Sequence, residues 1–185
     1  MNRLLLVLAM VLTAFAGSNA WAQASAYDSA VQSWKSYREV ADWLNTYYTF
    51  DHSRLSQMLK QRGQGGAAAL RTREPAKTFE IRSGYCTDAA GFAITSLNRI
   101  NPDYKAGYVF IRNGSGSTHH WVAGFHVDGK IYVMDYGPSS EWKQMRGVHG
   151  PYDSLDEYQT FLSALSLRNF SPAEVSWKNF PGEID

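Results

Sequence analysis

A single cysteine, Cys86, stands in a chain of 185 residues, so no intramolecular disulfide can form and a scaffold of the disulfide-rich secreted kind is excluded. Charge of one sign is also missing. Lysine and arginine number 18 against 17 aspartates and glutamates, for a net charge of +1, and nothing draws the whole molecule toward nucleic acid or an anionic membrane. Proline is sparse at 6 residues, while 44% of the chain is apolar and 19% charged. That balance argues against disorder, collagen or a string of domains and for one folded domain. Past residue 24 no run is apolar enough to span a bilayer, and no internal repeat is visible. The Asn113 to Ser117 loop has no lysine and does not join a strand to a helix, so it does not read as a phosphate loop. His119, His120, His126 and Asp128 follow no zinc spacing, and adjacent histidines on a strand point to opposite faces. The expectation is therefore no metal, no cofactor and no nucleic-acid partner.

What is present begins with a leader pattern. Asn2 and Arg3 precede an apolar run from Leu4 to Ala16, and Ala22-Gln23-Ala24 offers a small-x-small cleavage site before Ser25. This fits a secretory signal over residues 1–24, because the apolar run is shorter than the roughly 20 residues that a membrane anchor needs. No cysteine stands near the cleavage site to accept a lipid. The expectation is a periplasmic or secreted protein whose residues 25–185 form a single domain without a membrane span. Cysteines in such a compartment are ordinarily paired, which leaves Cys86 as filler, an intermolecular link or a reactive thiol. A lone cysteine is more often a small buried hydrophobe than a nucleophile, so its neighbours must decide.

Apolar spacing predicts helix over residues 27–62 in two pieces. Val31, Trp34, Ala41, Leu44 and Tyr48 mark the first, while Asp51 or Ser53 caps a second that carries Leu55, Met58 and Leu59 and ends at Gly63. Gln61 to Ala69, rich in Gly and Ala, reads as a mobile connection or a continued helix, and Glu74-Pro75 marks a boundary. Ala90, Ala93, Ile94, Leu97 and Ile100 predict a helix from Thr87 to Ile100, closed by Asn101-Pro102, which sets Cys86 at a helix start. Tyr108 to Ile111 reads as a strand. Two alternating runs, His119 to Val127 and Lys130 to Tyr136, flank Asp128-Gly129, a dipeptide suited to a tight hairpin. Ser154-Leu155-Asp156-Glu157 is a capping box ahead of a last amphipathic helix. The order predicts an α+β fold with an antiparallel sheet.

Cysteine attacks a carbonyl as thiolate, and a helix N-terminus, a neighbouring imidazolium and a carboxylate behind that imidazole all favour this form. The hairpin tests whether the parts can meet. With a two-residue turn, Val127 faces Lys130 and Val122 faces Asp135, which makes His120 and Asp135 diagonal neighbours on one face. A three-residue turn would put His119 there instead, since a slip of one residue inverts every side chain. The Asp-Gly dipeptide favours the first register. Taken singly, these histidines read as strand ends and Asp135 as a turn former. Taken together with an unpaired cysteine at a helix start, they point to a Cys86, His120, Asp135 triad, with His119 as the alternative base.

At these residues the chain resembles the transglutaminase-like branch of the papain-like thiol enzymes. Arg82-Ser83-Gly84-Tyr85-Cys86-Thr87-Asp88-Ala89-Ala90 is similar to that superfamily's Gly-x-Cys-x-(Asp/Glu)-x-Ala segment. His120-Trp121-Val122 and Tyr132-Val133-Met134-Asp135 are similar to its His and Asp strands. Arylamine N-acetyltransferases share this core, and their His-to-Asp interval matches His120. The His-x-Trp pattern of other members selects His119 instead. The resemblance implies a nucleophile helix packed on an antiparallel sheet and an exported acyl-transfer enzyme acting on amide bonds of a peptide or protein, as a protease, an amidase or an amine cross-linker. Two alternatives stand beside it: a non-catalytic relative that binds peptide, glycan or a partner protein through an aromatic groove, and a small secreted adaptor in which Cys86 is merely buried.

Overall fold

The computed structural model describes residues 25–65 and 72–183. The expected leader over residues 1–24 and part of the Gln61 to Ala69 connection lie outside the described residues.

Before Tyr48 there are two helices rather than the one that the spacing predicts, α1 (Ala26–Ser33) and α2 (Tyr37–Tyr47). The break follows from a second capping box. The Ser36 hydroxyl accepts the Arg38 N–H at 3.3 Å while Glu39 reaches back to the Ser36 N–H at 2.9 Å, so the chain must leave the helix and start again at Ser36. Helix α3 (His52–Gly65) starts where Asp51 accepts the Arg54 N–H at 3.0 Å, and it runs past the expected end at Gly63. A short helix unforeseen in the spacing, α4 (Pro75–Ile81), opens on Pro75 and ends at Arg82 in the left-handed region with φ 60°. Strand β1 (Thr49–Phe50) pairs in parallel with β2 (Ser83–Gly84), which delivers the chain to α5 (Cys86–Ile100).

The main sheet holds β3 (Gly107–Asn113), β4 (His120–Val127), β5 (Lys130–Asp135), β6 (Gly147–Tyr152) and β7 (Pro172–Lys178). Its order is β6-β5-β4-β3-β7, antiparallel throughout. Helix α6 (Leu155–Ala164) connects β6 toward β7, with the Ser154 hydroxyl accepting the Glu157 N–H. Strand β4 turns into β5 through Asp128 and Gly129, both at positive φ (51° and 76°), with Val127 opposite Lys130 and Ala123 opposite Met134. A two-residue turn with both residues at positive φ matches the natural twist of the strands.

Both faces of the sheet are covered. Phe92 and Leu97 of α5, with Val40 and Leu44 of α2, share a core with Ala123, Phe125 and Met134. On the opposite face Tyr158 and Leu162 of α6 pack with Val109, Val122 and Val133. Central strands buried on both sides must be apolar on both sides, and a polar residue sealed at their ends therefore stands out. The fold is of the α+β class, with helix α5, which begins at Cys86, packed on one face of an antiparallel sheet as the sequence predicts.

Arg146 ties the two halves together. Its guanidinium donates to the carbonyls of Leu44 and Tyr48 at the end of α2 (3.0 and 3.2 Å) and to that of Tyr136 at 2.9 Å, and it stacks on the Tyr136 ring. Lysine has no planar fork to serve several carbonyls at once. Arg146→Lys is expected to lower unfolding stability by about 1–2 kcal/mol, read from the shift of the urea midpoint at unchanged slope.

Candidate active site

Cys86 is the first residue of α5, and the turn that presents it is held by a buried carboxylate. Asp88, with no exposed surface, accepts the Tyr85 N–H at 3.1 Å, the Arg73 N–H at 2.7 Å, and two bonds from the Arg54 guanidinium at 2.6 and 2.8 Å. Each of its oxygens is used twice. The Tyr48 hydroxyl donates to the Tyr85 carbonyl at 2.8 Å, and Arg54 lies over the Tyr85 ring. A carboxylate in the first turn also suits the positive end of the helix. Asp88 enters the sequence reading only as a letter of a motif. Arg54 goes unnoticed there because its partner lies on another helix and no local pattern marks a long-range ion pair.

His120 opens β4 and Asp135 closes β5, and alternation puts both on the face of Val122 and Val133. His120 Nε2 and Asp135 Oδ2 are 2.7 Å apart, with the two residues only 2% and 1% exposed. The second carboxylate oxygen accepts the Gly137 N–H at 3.2 Å. Asp135 is thus fixed at both oxygens, one of them by the chain that follows it.

That same glycine joins sheet to helix. A Cβ on Gly137 would lie 2.5 Å from Cys86 Cα, closer than side-chain carbons approach backbone, so only glycine lets the chain leaving β5 run against the start of α5. The close approach sets Cys86 beside the His–Asp pair. Burial alone pulls His120 down, because a charged ring is poorly solvated there. The Asp135 charge and hydrogen bond, with hydrogen bonding and charge from Cys86, outweigh burial and raise His120 to about 10. Trp142 meets the His120 ring edge-on at 6.0 Å and is itself held by donating its indole N–H to the Arg168 carbonyl. Trp142, a second residue absent from the sequence reading, reaches the site from a 3-10 segment, Ser140–Met145.

Cys86, His120 and Tyr85 line a cavity of about 550 Å³ whose walls combine Phe50 and Trp142 with Asn113 and the serines of the Asn113–His119 and Ser139–Glu141 segments, and with Asn169. His119 lines it too, but its Nδ1 accepts the Asn113 N–H at 3.2 Å and its ring rests edge-on against Phe110. The ring paired with Asp135 is that of His120. His126 stacks on Trp177 toward the hairpin end of β4, and among the described residues no group of three or more His, Cys, Asp or Glu has the geometry to hold a metal. No described helix is long and apolar enough to cross a membrane.

A family model described as Transglutaminase-like domain matches residues 24–141, a span that includes Cys86, His120 and Asp135. No curated protein matches the chain.

Proposed function

The chain belongs to the transglutaminase-like domain family, and from that premise we propose that it is an exported cysteine acyl-transfer enzyme acting on amide bonds through Cys86, His120 and Asp135. The observation that carries the reading is the 2.7 Å bond from His120 to a fully sealed Asp135 on the wall of the cavity that Cys86 lines. Asp135 occupies Nε2 and leaves Nδ1 for the sulfur. A ring that keeps its proton to about pH 10 is a cation at neutral pH and stands beside the sulfur as a ready proton donor.

The thiolate attacks the carbonyl carbon, and the resulting oxyanion is met by the Cys86 N–H, which as a first-turn amide has no acceptor within the helix. When the intermediate collapses, the C–N bond breaks, His120 gives its proton to the departing amine, and a thioester remains on Cys86. Water or an amine then attacks the thioester as His120 takes the proton back. Water makes the enzyme a protease or amidase, and an amine makes it a cross-linker. Residues 1–24 act as the export signal in this reading, residues 25–185 form the domain that works in the periplasm or outside the cell, and peptide or protein is the substrate.

Alkylation by iodoacetamide tests it. At pH 7 Cys86 is expected to react about tenfold to thirtyfold faster than a free peptide thiol, which is mostly protonated there. His120→Ala removes that excess. Equal rates in the two proteins, both at the level of a free thiol, would leave a non-catalytic binding domain as the better reading.

A further inference from the structure

The cavity carries an electrostatic preference of its own. No lysine or arginine lines it among the described residues, and Glu141 is the one Asp or Glu on its wall. Glu141 sits exposed at the rim, next to Trp142, whose ring packs against His120. The packing of Trp142 holds the backbone that carries Glu141 at the cavity wall. Of the cations on the same segment and just beyond it, Arg146 is turned away onto the carbonyls of Leu44, Tyr48 and Tyr136, and Lys143 does not line the cavity. Arg54, near Tyr85, is neutralised by its two bonds to Asp88.

A proton passing between Cys86 and His120 does not change the charge of that pair. Whichever holds it, the Glu141 carboxylate on the wall, with Asp135 buried behind His120, biases toward negative charge a cavity whose other titratable lining side chains besides that pair are Tyr85, His52 and His119, and aromatic walls concentrate the field. An acyl donor with a carboxylate beside its scissile carbonyl is repelled, and one with a cation there is drawn in.

We propose that Glu141 is a specificity-determining residue that selects acyl donors bearing an ammonium or guanidinium group next to the scissile carbonyl. This rests on the acyl-transfer reading and narrows its substrate class to basic peptides or amides. Glu141 takes no part in bond making.

Three methanethiosulfonate reagents of different charge provide the test: trimethylammonioethyl, sulfonatoethyl and neutral methyl. With each, the Cys86 sulfur bonds to the reagent's divalent sulfur and methanesulfinate leaves, so electrons and atoms balance. Each charged reagent's rate is divided by the neutral rate on the same protein, and that quotient by the same quotient for a free peptide thiol, which removes both general thiol reactivity and the intrinsic reactivity of the reagent. The wild-type protein is expected to favour the cationic reagent over the anionic one by about tenfold, Glu141→Gln by about threefold, and Glu141→Lys to reach parity or reverse. The preference should shrink as salt is raised. A wild-type ratio near one, or a ratio that neither substitution moves, overturns the inference. A neutral methyl reagent that reacts no faster than with a free thiol, and is indifferent to His120→Ala, overturns the acyl-transfer reading instead, and the charge ratio is still read separately.

Discussion

Asp135→Asn is expected to slow turnover of an anilide acyl donor by about 10²–10⁴, the usual worth of a positioned acid-base group. An anilide has a poor leaving amine and needs the His120 proton, so it reads the whole device rather than the thiolate alone. Asparagine keeps the size of Asp135 and can still accept the Gly137 N–H, which Oδ1 takes at 3.2 Å. What it removes is the negative charge against Nε2. Burial, which opposes a charged ring, then acts without its main opponent, and His120 drops from about 10 to the ordinary histidine range or below. Two readouts separate this from simple misfolding. In the rate profile, the alkaline limb that belongs to the Cys86–His120 pair moves down by several pH units in the variant. In a Cys86→Ala background, where no thiol titrates, the sign of the stability change follows from linkage. There the Asp135 charge and hydrogen bond still raise His120 in the folded state, so its contribution is fully present below the unfolded value near 6.5 and is lost as pH rises through a folded value that lies below the wild-type's about 10 once the Cys86 contribution is gone. Urea midpoints of Cys86→Ala should fall across that window, and those of the Cys86→Ala, Asp135→Asn double variant should not. An alkaline limb that stays in place would refute the assignment of Asp135 as the group that charges the ring.

The part of this arrangement legible in the sequence is the part that local rules govern. The Asp128-Gly129 turn sets the hairpin register through its positive φ angles, and a period of two then carries the register back to His120 and Asp135 without knowledge of the remaining strands. The Cys86 helix was legible from its apolar spacing, as was α6 from its Ser154 cap. Before Tyr48, apolar spacing runs on across Trp34 while the Ser36–Glu39 box restarts the chain, so spacing alone joins what are two helices. Strands β6 and β7 escaped notice for a different reason. They are the edge strands of the sheet, carrying glycine or proline and alternating weakly, and they owe their conformation to pairing with β5 and β3 across long stretches of chain. The same distance hid Arg54, Trp142 and the closeness of Gly137 to Cys86, each of which exists only once separate elements have packed. Sequence therefore indicates which side chains the fold brings together better than it indicates what holds them in place.

Asp88→Ala is expected to show how much that holding is worth, at about 3–5 kcal/mol of unfolding stability, a large share of the roughly 5–15 kcal/mol available to a domain. The loss comes from what the substitution leaves behind. Arg54 keeps a part-buried charge with its two carboxylate bonds gone, and the N–H groups of Arg73 and Tyr85 lose their acceptor. An unpaired buried donor costs more than a hydrogen bond ever contributed. Asp88→Asn is expected to recover only part of the loss, because its amide nitrogen meets donors where an oxygen is needed. If the Arg54 charge is the main burden, Arg54→Met combined with Asp88→Ala will cost at least 1 kcal/mol less than the two changes added, the sign of a shared interaction. Urea unfolding at pH 7 gives all four values. A cost for Asp88→Ala below 1 kcal/mol would mean that the turn before Cys86 is held by the Tyr48–Tyr85 bond and packing alone. Because Tyr85 directly precedes Cys86, the iodoacetamide rate of the folded fraction should fall with the same substitution, linking the stability of the scaffold to the reactivity of the sulfur it presents.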